Sequence, residues 1–296
     1  MDVFVTGGTG TIGRSVIRRL IADGCSVIGL ARSEASAEKL RRAGASAYPG
    51  DLTAPQGWAE RAASCDAVIH TGATFDADMA AVDRQAIAAL LKAAIPRQKR
   101  LRLVYTGGIW LFPDSTPDAP LTQTSSFDPL PAFKWSAEQV RSLLSAPSLN
   151  LSVIHPALVC ATNSGPLHNM ARTAARGEPF QTRATPDTRW PLVHADDLAG
   201  LYASMLKHRA FRAAVIAAAI PGAPVGTIAK AVSKATGQDV TVETVGAPET
   251  CDPKFDWAAG YAKSQSVRTE TAKRMTNWAP DFESLETLTG SLFAPA

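Results

Sequence analysis

The chain has 296 residues, 46% of them apolar and 19% charged. This suits one large α/β domain, or a core domain with a smaller lobe, and excludes a largely disordered chain. The formal net charge of +3 comes with scattered basic residues, which excludes the broad basic face of a nucleic-acid binder. The one short cluster, RQKRLR at 97–102, reads as a solvated helix-to-strand turn. No apolar run reaches the roughly 18 residues of a membrane span, and no leader is expected ahead of the first strand. Cys25, Cys65, Cys160 and Cys251 are far apart in sequence. They offer no CxxC pair for zinc or redox work, so reduced thiols, no metal site and a cytoplasmic location are expected.

VFVT (3–6) reads as a first strand, followed by a glycine-rich turn and a helix over Thr11–Ala22. CSVIGLA (25–31) is a second strand, and SEASAEKLRRAG (33–44) a helix with a serine cap and a closing glycine. SAYPGDL (46–52), CDAVIHTGA (65–73), LRLVYTGG (101–108) and LSVIHPAL (151–158) are further strands, with helices over 78–95 and 132–144. Strands that are apolar throughout and alternate with helices indicate an α/β fold, a doubly wound parallel sheet covered on both faces. Beyond residue 160 the pattern loosens. Strands are expected near 188–193, 213–218 and 239–245, and helices near 195–207, 225–236 and 281–293. The expected division is a dinucleotide-binding domain over 1–160 and a smaller C-terminal substrate lobe, interleaved with the core, over 161–296.

The turn after the first strand, TGGTGTIGR (6–14), carries chemistry. Gly7 permits a sharp turn, Gly10 a close approach of backbone to a pyrophosphate, and Gly13 close packing of helix on strand. Thr9, Thr11 and Ile12 lie between them, and the helix N-terminus points its N–H groups at the phosphates. The second strand ends in GLARS (29–33). Where an NAD site offers a carboxylate for the ribose 2′-hydroxyl, this chain has Arg32 and Ser33. A guanidinium suits a 2′-phosphate, which favours NADP(H) over NAD(H).

These segments resemble the short-chain dehydrogenase/reductase superfamily in its extended or atypical branch, the NAD-dependent epimerase/dehydratase-like members. The resemblance rests on TGGTGTIG, GDL (50–52), HTGA (70–73), YTGGIW (105–110), HPALV (155–159) and WPLVHADDLA (190–199). It implies a Rossmann-type fold. It also implies that Asp51 and Leu52 flank the adenine, that Thr71, Gly72 and Ala73 lie along the cofactor, and that Pro156 meets the nicotinamide ribose region. A homodimer through the helices flanking the fifth strand is implied in the same way.

The superfamily's active site is a Ser or Thr, a Tyr, and a Lys four residues after the Tyr on one helix. The Tyr relays the proton, while the Lys lowers its pKa and holds the ribose. By resemblance Thr106 is the Ser/Thr and Lys134, in LPAFKWSAE (130–138), is the Lys. The Tyr position is then Leu130, and leucine moves no proton. His168 is a candidate substitute donor. His194 reads as structural, with Asp196 and Asp197 capping the following helix, and His70 and His155 read as packing residues. Trp110, Phe112, Phe133, Trp135 and Leu158 are candidate pocket positions, and the polar handles of sugar-nucleotide members are absent at Leu158 and Cys160. A small, mainly apolar carbonyl or enone substrate, reduced with NADP(H), is the leading expectation. The missing tyrosine keeps two others open: a non-redox isomerase, lyase, dehydratase or cyclase, and a non-catalytic NADP(H) sensor.

Overall fold

The computed structural model describes residues 1–74, 78–97, 100–207 and 212–294. The chain forms two compact units. One comprises Met1–Gly107, Glu138–Ile154 and Leu198–Ala214; the other comprises Gly108–Ala137, His155–Asp197 and Val215–Ala296. The chain passes between them repeatedly: residues 108–137 group with the C-terminal segments, and 138–154 and 198–214 with the N-terminal one.

In chain order, β1 (Asp2–Thr6), α1 (Thr11–Ala22), β2 (Ser26–Ala31), α2 (Glu34–Arg42) and β3 (Ser46–Pro49) open the first unit. α3 (Ala59–Ser64), β4 (Ala67–His70), α4 (Met79–Ala94), β5 (Leu101–Thr106), α5 (Lys134–Ser145) and β6 (Leu149–Pro156) follow. Strands β3, β2, β1, β4, β5 and β6 lie side by side in that order, each pair parallel. That is the doubly wound order, which opens a crevice at the carboxyl ends of the strands. Val3, Phe4 and Val5 of β1 are fully buried, as are Val16, Ile17 and Leu20 of α1. Phe4 stacks on Trp58, with ring centroids 5.9 Å apart.

β7 (Leu158–Cys160), α6 (Pro166–Ala174), β8 (Phe180–Thr182), β9 (Arg189–His194), α7 (Ala195–Lys207) and β10 (Arg212–Ala217) come next. β10 lies beside β6 at the end of the large sheet. β11 (Ile220–Pro224), α8 (Val225–Thr236), β12 (Val242–Thr244), α9 (Glu270–Thr276) and α10 (Leu285–Phe293) complete the chain. In the second unit β9 pairs antiparallel with β11 and parallel with β7, and β8 pairs with β12. Leu167 and Met170 of α6, Trp190 of β9, Ile228 and Val232 of α8 and Leu288 of α10 share one core.

The apolar run AAVIAAAI (213–220) spans most of β10 and the first residue of β11. It breaks at Ala218–Ala219, where the Ala219 N–H donates to Leu192 O at 2.9 Å. Of the basic cluster, Gln98 and Lys99 lie outside the described residues. The rest is not simply solvated: Arg102 donates to the carbonyls of Asn150 and Leu206 at 3.1 and 3.4 Å, to that of Met205, and to the Ser152 hydroxyl at 2.9 Å. It thereby ties β5 to β6 and to the carboxyl end of α7, and burial pulls its pKa down to about 10. Among the described residues no helix is long and apolar enough to cross a membrane, and no cluster of His, Cys, Asp or Glu could hold a metal ion. All four cysteines are free, with Cys65 and Cys160 buried.

Candidate functional site

The glycine-rich turn of the first unit has the shape a dinucleotide needs. Gly7 has φ +70°, and a Cβ there would stand 2.6 Å from the Gly72 amide nitrogen, so the ends of β1 and β4 meet backbone to backbone. A Cβ on Gly13 would stand 2.2 Å from Gly7 O, which fixes how closely α1 approaches the turn. Gly10 caps α1, is exposed and brings no side-chain acceptor. By contrast α2 and α4 are capped by the side chains of Ser33 and Asp78. A helix start without a side-chain cap favours an anion. Thr9 is exposed beside it, and Thr11 and Ile12 are half-buried in the first turn of α1.

Leu52 packs over the same place: its Cδ1 is 2.7 Å from where a Cβ on Gly72 would be. The Asp51 carboxylate accepts from the amide and hydroxyl of Thr53, each at 2.8 Å. The Thr53 amide foremost, then its hydroxyl and the Arg32 charge, hold the Asp51 carboxyl below its ordinary value. Arg32 is exposed and forms no hydrogen bond or ion pair among the described residues. Its guanidinium is available to a ligand phosphate. Ser33 is not comparable: its hydroxyl accepts from the Ser36 amide at 3.2 Å and donates to Ser36 Oγ at 3.1 Å, the work of a helix cap.

Beneath the turn lies a buried polar chain that the sequence did not announce. The Thr6 hydroxyl accepts from the Gly72 amide at 3.3 Å and hydrogen-bonds His70 Nδ1 at 2.9 Å. His70 Nε2 meets Asp83 Oδ1 at 3.1 Å, and the Tyr105 hydroxyl donates to Asp83 Oδ2 at 3.0 Å. The Thr71 hydroxyl donates to Thr6 O at 2.7 Å. His70 is therefore more than a packing residue. It joins β1, β4, β5 and α4 under the cradle.

Thr106, at the end of β5, has its hydroxyl engaged. It donates to His70 O at 2.7 Å and meets the Tyr202 hydroxyl at 2.6 Å, so the proton between them comes from Tyr202. Burial pushes the Tyr202 phenol up, so it keeps that proton. In this arrangement Thr106 has a lone pair but no proton for a substrate oxygen.

Lys134, in the second unit, opens α5 directly after a 3₁₀ turn over Pro131–Phe133. It is exposed and forms no hydrogen bond or ion pair among the described residues. Leu130 precedes that turn with φ −60° and ψ 156°, an extended conformation. Position 130 is thus off the helix as well as lacking an acid, which corrects the expectation that one turn of helix sets it above Lys134. Pro131 is the cause, since proline forces its predecessor out of the helical region.

The pocket candidates separate by burial. Phe112 is fully buried, edge-on to His155 and Phe127 at 5.0 Å each. Leu158 belongs to the core of the second unit and Pro156 is buried. Trp110, Phe133 and Trp135 are half-buried. The Trp110 ring lies 5.5 Å from Phe133 and 5.0 Å from Tyr261, and Tyr261 in turn meets Trp190 at 5.3 Å and Trp257 at 6.2 Å. His168 is half-buried on α6. His155 is buried, accepts from the Gly108 amide at Nδ1 (3.3 Å), and burial lowers its pKa to about 4. Gln265, which sequence reasoning passed over, is buried and holds the loop after β5: its amide nitrogen lies 3.0 to 3.1 Å from the carbonyls of Ile109, Phe112 and Pro113. Asp197 does not cap α7. Its carboxylate accepts from the amides of Asp281 and Phe282, and it is His194 Nδ1 that accepts from the Asp196 amide.

A doubly wound sheet whose first helix starts without a side-chain cap behind a glycine turn is the plan of the extended short-chain dehydrogenase/reductase type. The model of the NAD dependent epimerase/dehydratase family matches residues 3–217, and the chain belongs to that family. It is 26% identical over 97% of both chains to an uncharacterised protein of Schizosaccharomyces pombe. It is 31% identical to a 4-hydroxy-2-methyl-3-oxo-4-farnesyl-3,4-dihydroquinoline-1-oxide ketoreductase of Stigmatella aurantiaca, over 54% of this chain and 50% of that one. The fold is that of Thermus thermophilus UDP-glucose 4-epimerase, solved with NAD: TM-score 0.79, 19% identity, all of both chains covered.

Proposed function

We propose that this chain is an NADP(H)-dependent oxidoreductase that reduces a small, mainly apolar carbonyl or enone compound. One observation carries the cofactor choice: Arg32, with no hydrogen bond or ion pair among the described residues, stands at the end of β2, its charge felt by Asp51, where an NAD site would offer a carboxylate for the ribose. The glycine turn fits a pyrophosphate, because side chains at Gly7 and Gly13 would close it. When bound, the cofactor supplies hydride. Gly7, Thr9, Gly10, Thr11, Ile12 and Gly13 would hold its phosphates, Arg32 its 2′-phosphate, Asp51 and Leu52 its adenine side, Thr71, Gly72 and Pro156 its length, and Lys134 its ribose.

Support for an apolar substrate comes from two sides. Trp110 and Phe133 are half-buried with their rings 5.5 Å apart, Trp135 is half-buried two residues on, and the Stigmatella relative is named for a ketone on a farnesylated ring. Thr106 serves as an acceptor only, because its proton is engaged with His70 O. The second reading, non-redox isomerase or dehydratase chemistry, draws on Leu130 standing where a proton-relaying tyrosine is expected.

The test is NADPH oxidation with apolar aryl and ring ketones, alongside Lys134→Met. Lys134 is exposed and has no partner among the described residues, so the variant keeps its melting temperature while NADPH affinity and turnover fall about tenfold or more. Unchanged affinity and turnover in Lys134→Met would remove the lysine from the site. Product formed without loss of NADPH would favour the non-redox reading.

A further inference from the structure

The chain has lost the tyrosine that moves the proton, and Thr106 has no proton to give. The four tyrosines show where one is free. The Tyr48 hydroxyl donates to Gly57 O, that of Tyr105 to Asp83, and that of Tyr202 to Thr106. The Tyr261 hydroxyl makes no hydrogen bond among the described residues.

Its position is built rather than casual. Tyr261 sits in a 3₁₀ segment, Trp257–Ala262, whose start is capped by the Asp256 side chain accepting from the Ala259 amide. Asp256 is itself held by an ion pair with Arg183 at 3.3 Å, both side chains largely buried. The Tyr261 carbonyl accepts from Trp190 Nε1 at 2.9 Å. The neighbouring Gly260 has no room for a side chain, since a Cβ there would stand 2.2 Å from the Trp110 indole. The ring is bracketed by Trp110, Trp190 and Trp257, and Trp110 also meets Phe133, the residue before Lys134. The result is an unpartnered phenol held at a fixed point of the aromatic surface proposed for the substrate.

We propose that Tyr261 supplies the hydrogen bond and the proton to the substrate oxygen, in place of the tyrosine missing at Leu130. The proposal rests on the reductase reading above. A bound reduced nicotinamide would supply the hydride for the new C–H bond at the carbonyl carbon. The carbonyl π-bond pair passes to oxygen, and oxygen takes the Tyr261 phenol proton. The carbonyl becomes an alcohol, NADPH becomes NADP⁺, and the phenolate regains its proton from water. Two other histidines of this unit serve less well: His155 is buried and accepts from an amide, and His194 Nδ1 accepts from Asp196. Burial, together with the Cys160 thiol, raises the Tyr261 pKa, so the phenol keeps its proton until it is used.

The experiment compares Tyr261→Phe with the parent chain in two readouts: NADPH oxidation with acetophenone, and acetophenone binding to the cofactor-free protein followed by tryptophan fluorescence. The expected result is a kcat/KM about 100-fold lower in the variant, acetophenone binding about fivefold weaker, NADPH affinity unchanged, and loss of the alkaline fall in rate that phenol ionisation gives the parent. Equal kcat/KM and equal acetophenone binding in the two proteins overturn the assignment and leave the reductase reading intact. Acetophenone binding that weakens in Tyr261→Phe while the parent oxidises no NADPH refutes the reductase reading and keeps Tyr261 as the oxygen-binding group. Acetophenone that binds neither protein overturns the proposal.

Discussion

Acid should destabilise this protein through His155, and the size of the effect follows from its surroundings. The ring is buried, edge-on to Phe112 and Phe127, and Nδ1 accepts from the Gly108 amide. No carboxylate is among these partners, so desolvation dominates and lowers the pKa from 6.5 to about 4. A folded pKa below the unfolded one means that the unfolded chain binds the proton more readily. Stability is then full above about pH 6.5 and drains away as the pH falls toward 4. At about pH 5 the ratio of the two binding polynomials is about 30, worth about 2 kcal/mol. His155→Asn keeps an acceptor for Gly108 and removes the titration. It costs some stability at every pH through lost packing, but that cost cancels when each protein is compared with itself. Urea unfolding at about pH 7.5 and about pH 5, read by tryptophan fluorescence, should show the parent losing about 2 kcal/mol more than the variant. Asp23 and Asp51, whose carboxyls are held low, add an acid loss common to both. Equal losses in parent and variant would refute the argument.

Three further outcomes test the cradle and its support. Gly13→Ala drives a methyl into Gly7 O; NADPH affinity should fall at least about tenfold by calorimetry, and unchanged affinity would mean that the turn does not hold the phosphates. Arg32→Ala should weaken NADPH about tenfold or more and leave NADH within about twofold, since only the 2′-phosphate meets the guanidinium; equal weakening of both would assign Arg32 to another part of the cofactor. Asp83→Leu removes the carboxylate shared by His70 and Tyr105 and should cost about 3 kcal/mol in urea unfolding. NADPH should bind more weakly too, because the same chain of bonds reaches the Gly72 amide. A loss of stability with affinity untouched would separate the network from the cradle.

The large sheet and the cradle were legible because each rests on local pattern. β1, β2, β4, β5 and β6 are apolar runs, α1 begins at a glycine turn, and α2 and α4 begin at Ser33 and Asp78. What escaped has little local signature. α3 is six residues, and β7 and β8 are three each, formed only because β9 and β12 lie beside them. The break at Ala218–Ala219 is set by a bond to Leu192, and an alanine run gives no warning of it. At the candidate site, the committed proton of Thr106 depends on Tyr202, nearly a hundred residues away in the chain. The aromatic surface draws on Trp110, Phe133, Trp257 and Tyr261, which no spacing connects, backed by the buried Trp190. Tyr261 was invisible for that reason.

The account stands on the glycine turn and Arg32 together choosing a phosphorylated dinucleotide. Side-by-side calorimetric titration of the purified chain with NADPH and with NADH tests this directly. The predicted result is NADPH bound at least about tenfold more tightly, the difference that one 2′-phosphate on a guanidinium supplies. NADH bound as tightly as NADPH, or neither bound at all, would contradict it.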